Sequence, residues 1–347
     1  MVSPPGRAAS AVTHGRAARI APGVWRIDLP IPDSEVPSVA VYALVGDDGR
    51  LALIDAGYDD AQARAALESG LADIGRRPED VHAVLLTHSH PDHHGLSAEI
   101  PARSGGWAAL HEADAEALHS GGEEHERWLG RWRDWCVEAG VPAEDHARFL
   151  ELSDRILELF RLPRPSRLIS RGWREEVVGG HELSVIELPG HSNGQVGFLD
   201  RRRRLLYGGD ALLRGALTSV PSNPLTKRDP LRDHLRSLER LERLEDVDRL
   251  APGHGPLIDD IPAQVSRARE MLRRRVERVA AVLESGPATA WEVAERLPRG
   301  KPLREYSLLA QRAMLGETIA LLHLLEGDGR AACEAGPPKR WRKASAA

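Results

Sequence analysis

The period of apolar and polar positions changes several times along the 347 residues. Val24 to Asp28, Val39 to Val45 and Leu51 to Asp55 are short aliphatic runs separated by Pro-rich segments and by Asp47-Asp48-Gly49, which predicts three strands joined by turns. Ala61 to Ile74 places Ala65, Leu67 and Leu71 at helical spacing, and Val81 to Leu86 follows as an uninterrupted apolar run of strand length. Strand and helix patterns recur around His191, Asp210 and His254, so the chain reads as an α/β fold with two mixed sheets covered by helices. From Glu112 to Leu162 the spacing is almost wholly helical, carried by Leu129, Trp132 and Cys136 and then by Phe149, Leu152, Ile156, Leu159 and Phe160.

The pattern shifts again after Pro262. Gln264 to Leu283 predicts a long Arg-rich helix, Thr289 is placed to cap a second, and a third runs from about Leu308 to Glu326 and stops at Gly327. Asp328-Gly329-Arg330 then leads into a short hairpin. A chain of this length exceeds one ordinary core. The expected division is a disordered leader at 1–19, a catalytic domain at 20–262 with a helical insertion at 112–175, and a smaller unit at 263–347.

Composition narrows the class of protein. Charged residues make up 29% and the net charge is −5, which gives no general attraction to nucleic acid or to an anionic membrane. No run approaches 18 consecutive apolar residues, so no membrane span is expected. Met1 to Arg19 lacks the apolar segment of a secretory signal, and Pro4-Pro5-Gly6 opposes the amphipathic helix of a transit peptide. Cys136 and Cys333 have neither zinc-like spacing nor the density of a disulfide framework, which points to a cytoplasmic location. Five of the eight tryptophans, Trp107, Trp128, Trp132, Trp135 and Trp173, lie in or near the insertion. A helical hairpin packed on the sheets and a substrate lid are both open readings of that segment.

The chemistry is concentrated in Thr87-His88-Ser89-His90-Pro91-Asp92-His93-His94-Gly95, directly after an apolar run. His88, His90, Asp92 and His93 place four donors within six residues, and imidazole with carboxylate suits zinc, iron or manganese. A solvated His-rich turn is the plain alternative. Three later positions weigh against it: His191, Asp210 and His254 each close an apolar or Gly-rich step from strand to loop, where a rigid scaffold exposes side chains to substrate.

With these residues in this order, the chain resembles the metallo-β-lactamase superfamily. The resemblance implies an αββα sandwich with two metal ions at one edge between the sheets. His88, His90 and His191 would bind one ion, and Asp92, His93 and His254 the other. Asp210 matches the carboxylate that bridges both, Asp55 an acidic residue that supports the site from behind, and Asp92 and Asp210 are the catalytic residues implied. Class B β-lactamases generally carry Cys or Ser at the place of Asp210, and flavodiiron proteins Glu at that of His90. Nucleases that cut messenger RNA ends insert a large domain between the last two ligands, whereas here 44 residues separate Asp210 from His254.

The helix, helix, helix, hairpin order of the C-terminal unit resembles the winged-helix domain of a branch that includes endoribonucleases. Its third helix carries Glu317, Leu321, Leu322, Leu324 and Leu325 where a nucleic-acid reader needs Lys and Arg, so packing within the chain or across a homodimer is expected ahead of nucleic-acid contact. Lys339-Arg340-Trp341-Arg342-Lys343 is the compact basic element after it, and Arg201 to Arg204 reads as a solvated turn.

The implied cofactors are two divalent ions, zinc first, with iron or manganese accepted by the same donors. Shared through Asp210, they would lower the pKa of a bridging water from about 15.7 toward roughly 7 and so supply hydroxide. A thiol leaves as an anion without a dedicated acid, which favours a thioester or activated ester of a small-molecule acyl substrate, as in the hydroxyacylglutathione hydrolases that the His191 and Asp210 segments also resemble. The alternatives are a single-strand endoribonuclease that uses the winged helix as an RNA platform, and a non-enzymatic metal-containing regulator. Structural zinc takes four closed protein ligands, so the full donor set speaks against the regulator.

Overall fold

The computed structural model describes residues 14–32, 36–118, 121–161, 164–226, 229–334 and 336–344. A seven-stranded sheet runs in chain order through β1 (Ala17–Ala21), β2 (Val24–Pro30), β3 (Ser38–Val45), β4 (Leu51–Ile54), β5 (Val81–Leu85), β6 (Trp107–His111) and β7 (Arg167–Ile169). It is antiparallel from β1 to β4 and parallel from β4 to β7. A five-stranded sheet holds β8 (Arg174–Val178), β9 (His181–Glu187), β10 (Val196–Asp200), β11 (Leu205–Gly209) and β12 (Arg249–Pro252), antiparallel except for the parallel pair β11 and β12.

The inner strands β3, β4, β6, β10 and β11 are buried along almost their whole length because both sheets are covered on both faces there. On β3, Val39, Val41 and Ala43 join one core cluster, whereas Ala40, Tyr42 and Leu44 join the cluster between the sheets, against Phe198, Leu205 and Tyr207. Outside the first sheet lie α1 (Ala61–Asp73), the single turn α2 (Pro91–His94) and α3 (Glu99–Ser104). Asp60 caps α1 by accepting from the Gln62 amide at 2.7 Å. The result is the expected order of helix, sheet, sheet, helix.

The expected leader ends too late. Residues 1–13 lie outside the described residues, but Gly15 donates to the Asp28 carbonyl at 3.0 Å and β1 begins at Ala17. Its Ala and Arg residues pattern weakly because it is an edge strand with little burial. The turn at Arg201 to Arg204 joins β10 to β11 with Arg201, Arg202 and Arg204 exposed as expected, and Arg203 is the exception. Arg203 is only 12% exposed, and its guanidinium bonds the buried Asp200 carboxylate and the Gly180 carbonyl, both at 2.8 Å.

Within the expected insertion at 112–175 the helices α4 (Glu112–Ala115), α5 (Glu123–Ala139) and α6 (His146–Glu158) end before β7 and β8, which belong to the sheets, so the helical part is shorter than expected; α7 (Pro230–Glu242) covers the second sheet. The C-terminal part forms α8 (Ile261–Leu283), α9 (Ala290–Arg296), α10 (Leu308–Gly327) and the hairpin β13 (Ala331–Glu334) with β14 (Arg340–Lys343). Thr289 caps α9 in a reciprocal capping box with Glu292. The boundary at residue 262 falls within the first turn of α8, whose Val265 and Ala268 pack under the second sheet while Leu272, Val276 and Val279 enter the C-terminal core. That core also takes in Cys136, Val141 and Phe149 of the insertion, together with Trp291, Leu322 and Trp341. Insertion and C-terminal part therefore bury one another.

By length and composition α10 could cross a membrane, which a search for uninterrupted apolar runs passes over because Arg312, Glu317 and His323 break it. In the fold Leu315, Ile319, Leu322 and Leu325 are buried, and the helix packs on α6, α7, α8 and α9. Trp341→Ala is expected to lower stability by about 3–5 kcal/mol in urea unfolding, since the side chain is 1% exposed in this shared core. Deletion of residues 263–347 would uncover Cys136, Val141 and Phe149, and the truncated chain is expected to aggregate; a monodisperse product in size-exclusion chromatography would show that the insertion does not need this cover.

Candidate metal centre

The histidine motif changes backbone geometry halfway through. His88 and His90 lie on extended chain leaving β5, where residues two apart share a side, and their ring centroids are 4.7 Å apart. Pro91 then opens α2 at a position that needs no amide donor, and one helical turn brings Asp92 and His93 round to the same place. The His88 and His93 centroids are 4.1 Å apart.

The remaining residues arrive on loops that follow parallel strands. β9, β11 and β12 run in one direction, so His191 after β9, Asp210 after β11 and His254 after β12 emerge at one edge of the second sheet. The edge is fastened to the first sheet: Val196 N donates to the Thr87 carbonyl at 2.9 Å, Ala40 N to the Gly253 carbonyl at 2.7 Å, and the Tyr42 hydroxyl to the Pro252 carbonyl at 2.6 Å. Gly253 allows the chain to pass beside the site, because a Cβ there would lie 2.5 Å from both Asp210 Oδ1 and His93 Cε1.

Three donor groups form: His88 with His90 and His191; His88 with His93 and Asp210; and Asp92 with His93 and His254. Asp210 stands between the two halves, Oδ1 at 3.6 Å from His93 Nε2 and Oδ2 at 3.5 Å from His191 Nε2 and 3.4 Å from His254 Nε2. All seven residues expected at the centre are thus brought together. His94, the remaining imidazole of the motif, turns away and packs on Phe160 with ring centroids 5.8 Å apart.

Four of the five clustered histidines have their outer nitrogen held by oxygen. His88 Nδ1 meets Thr87 Oγ1 at 3.0 Å, His93 Nδ1 donates to Asp55 Oδ2 at 2.8 Å, and His191 and His254 donate to the Ser219 and Ser38 carbonyls, both at 2.7 Å. Each bond fixes a tautomer and leaves Nε2 to face the cluster. Asp55 is the hub of this outer ring. It leaves β4 with φ +62°, a left-handed conformation that Asp tolerates, and its carboxylate accepts from the Thr87 amide at 2.8 Å and hydroxyl at 2.9 Å as well as from His93.

This donor set fits divalent cations. His88 Nε2 and His90 Nδ1 face each other at 3.1 Å, close to the separation of roughly 3.3 Å that two nitrogens on a tetrahedral zinc ion would have. Buried His93 Nε2, His191 Nε2 and Asp210 Oδ1 have no hydrogen-bond partner. Burial would drive the His93 imidazole down, but Asp55, Asp92 and Asp210 outweigh it and push it up to about 9. His254 follows the same balance with Asp210 and Asp92 and rises to about 11. Burial would raise Asp92 and Asp210, yet the neighbouring imidazoles hold both well below the usual carboxylate range. Burial and the adjacent imidazoles keep His88 and His90 neutral, His90 at about 3.

Sequence reasoning missed Asp114. It is 1% exposed at the end of the short α4 and accepts from Ser89 N at 2.8 Å, Ser192 Oγ at 2.7 Å and Gly194 N at 2.5 Å, so it ties the His88–His93 loop to the His191 loop. Burial pushes its carboxyl up despite these donors. A lone Asp in a helical pattern carries no signal of such a role. The tryptophans mostly pack: Trp128 and Trp132 form a cluster with Leu157, while Trp173 lies against Phe198 between the sheets.

Asp55→Asn is expected to weaken metal affinity about 10- to 100-fold with the fold retained, measured by competition with a chelating dye. Gly253→Ala is expected to abolish stable loading at the Asp92, His93 and His254 side. Unchanged affinity in both variants would show that neither the outer ring nor the close backbone pass governs the donors.

Residues 36–254 match the Metallo-beta-lactamase superfamily. The probable metallo-hydrolase YqjP of Bacillus subtilis (strain 168) is 30% identical over 312 residues, 88% of this chain and 92% of that protein. The acyl-coenzyme A thioesterase MBLAC2 of Gallus gallus is 31% identical over 189 residues, which span 52% of this chain and 58% of that protein. Among solved structures, the metallo-beta-lactamase family protein TTHA1429 from Thermus thermophilus is similar with a TM-score of 0.78 at 31% identity, over 93% of this chain and 99% of that one. The layered fold, the clustered donors and matches of this extent agree, and the chain belongs to the Metallo-beta-lactamase superfamily as a metal-dependent hydrolase of that fold.

Proposed function

We propose that the protein hydrolyses thioesters or activated esters of small acyl substrates, with one divalent ion at His88, His90 and His191 and a second at Asp92, His93 and His254. The observation that carries a two-ion centre is Asp210, whose two oxygens face His93 on one side and His191 and His254 on the other. Bound there, such ions supply Lewis acidity and an activated water at neutral pH. Zinc is the first choice for this donor set.

The chain's own part is positioning. Asp210 and Asp92 stay ionised beside the imidazoles of His93 and His254, Asp55 holds His93 in one tautomer, and the Asp114 clamp sets the two loops that frame the opening. A recess beside His90 and His191 is lined by Ser89, Ser192 and Asn223 with Phe160, Pro221 and Leu225, a polar mouth on an apolar wall. The Ser89 hydroxyl and the Asn223 amide can hydrogen-bond a substrate carbonyl, the Ser192 hydroxyl being committed to Asp114, and neither is acidic enough to protonate a leaving group near neutrality. A thiolate needs none, which favours a thioester over an amide or a phosphodiester. The name of the MBLAC2 relative supports the same substrate class. Asn223 also lines a second cavity of about 370 Å³ with Trp135, His323 and Trp341, large enough for the remote part of an acyl thioester.

Nucleic acid stands second in this reading. The apolar third helix is buried, and every cation of the basic segment has an acidic partner: Lys339 with Glu138 at 2.6 Å, Arg340 with Glu292 at 3.2 Å, Arg342 with Glu334 at 3.4 Å and Lys343 with Glu284 at 3.0 Å.

The test is turnover of metal-analysed protein on acyl thioesters, matched oxygen esters, lactones and a short single-stranded RNA. Metal-dependent thioester or ester cleavage is expected, and Asp210→Asn is expected to lower it by at least about 100-fold while the protein stays folded. Retained turnover in that variant, or cleavage confined to RNA, would refute the proposal.

A further inference from the structure

Between α8, α10 and the chain following α9 lies a cavity of about 280 Å³ that the hydrolytic chemistry leaves unused. Met271, Leu297 and Met314 contribute apolar lining, and four guanidinium groups, of Arg274, Arg275, Arg278 and Arg299, dominate the polar part. Glu317 is the single carboxylate among the lining residues.

The charges there do not balance. Arg275 takes Glu317, with Nη1 at 2.7 Å from Oε2, and Arg274 pairs with Glu270, which lies outside the lining and also serves Arg273. Arg299 donates to the neutral Ala294 carbonyl, and burial pushes its guanidinium below the ordinary value although Tyr306 and Glu317 act the other way. Arg278 has no ion pair among the described residues. Two guanidiniums thus face a partly enclosed cavity without an ion pair of their own, four arginines sharing one lining carboxylate, an arrangement that an oxyanion relieves with paired hydrogen bonds.

We propose that this cavity binds an amphiphilic organic anion, its carboxylate or phosphate head on Arg275, Arg278 and Arg299 and its apolar tail on Met271, Leu297 and Met314. The site is also joined to the metal centre. Glu317 Oε1 accepts from Ser219 Oγ at 2.7 Å, and the Ser219 carbonyl accepts from His191 Nδ1 at 2.7 Å. An anion that draws Arg275 away from Glu317 therefore acts on the segment that orients His191. Occupancy changes how tightly the centre holds its metal, whatever the substrate.

Calorimetry on the metal-loaded protein, with octanoate, octyl phosphate and inorganic phosphate as probes, tests the site and separates the two head groups. At least one octyl anion is expected to bind once per chain, about 10-fold more tightly than inorganic phosphate, and Arg278→Gln and Arg299→Gln are each expected to weaken it about 10-fold. Arg278→Gln removes a side chain without an ion pair and so leaves the fold intact. Metal affinity, read by chelator competition, is expected to shift at least about 3-fold on saturation with the probe and not to shift in Ser219→Ala, which keeps the carbonyl on His191 but loses the hydroxyl on Glu317. No saturable binding, binding that the arginine variants leave unchanged, or a single-stranded RNA bound more tightly than either octyl anion and lost in those variants would overturn the proposal. Metal affinity unmoved by a bound anion would overturn its link to His191.

Discussion

The bond between the Asp55 carboxylate and the His93 imidazole sets the terms for the rest of the centre. Both groups are buried, Asp55 at 1% exposure, where an isolated charge costs several kcal/mol. The carboxylate is tolerable only because Thr87 donates twice to it and His93 once more. The same acceptor also orders its neighbours, since Thr87 Oγ1 is the contact of His88 Nδ1. One residue at the end of β4 thereby fixes ring orientations on both sides of the prospective metal pair. The left-handed backbone at Asp55 turns its side chain sharply out of the sheet, and the surrounding bonds hold that conformation.

Beyond this ring the cluster divides by charge. Carboxylates draw protons on to His93 and His254, whereas burial and the neighbouring imidazoles keep His88 and His90 neutral, at His90 in spite of Asp92 and Asp210. A divalent cation answers both conditions, replacing protons on one side and joining lone pairs on the other. The loops carrying these groups are short of freedom because Asp114 bonds two of them and backbone bonds cross between the sheets.

The helical insertion and the C-terminal helices complete the cleft by burying each other. Trp128 and Trp132 back the wall through Leu225, which reaches the recess beside His90 and His191. α8 runs from beneath the second sheet into the C-terminal core, so the two parts share a continuous helix rather than a linker. Ser219 lies where these layers meet, with its carbonyl on a metal-site histidine and its hydroxyl on α10.

Much of this was legible in the chain. The apolar runs at Val39 to Val45 and Val81 to Leu86 lack polar alternation because both faces of their sheet are covered, and β3 and β5 lie there. The His-x-His-x-Asp-His pattern, His191, Asp210 and His254 stood out because many donors at strand ends serve little purpose in packing alone. Edge strand β1 and the Arg203 contacts were not legible, since each depends on what lies opposite. Asp114, Ser219 and Glu317 gave no signal either. Their partners are 25 to 98 residues away, and a single Asp, Ser or Glu in a helix or loop looks the same whether it is solvated or clamped. The sequence by itself determined the layers and the donor set, because burial period and metal-ligand chemistry are local properties of residue type. Only the tertiary structure decided which nitrogen faces the cluster, which carboxylate holds the loops and which of the cavity's arginines lack an ion pair, because hydrogen-bond direction and charge balance exist only between groups that folding brings together.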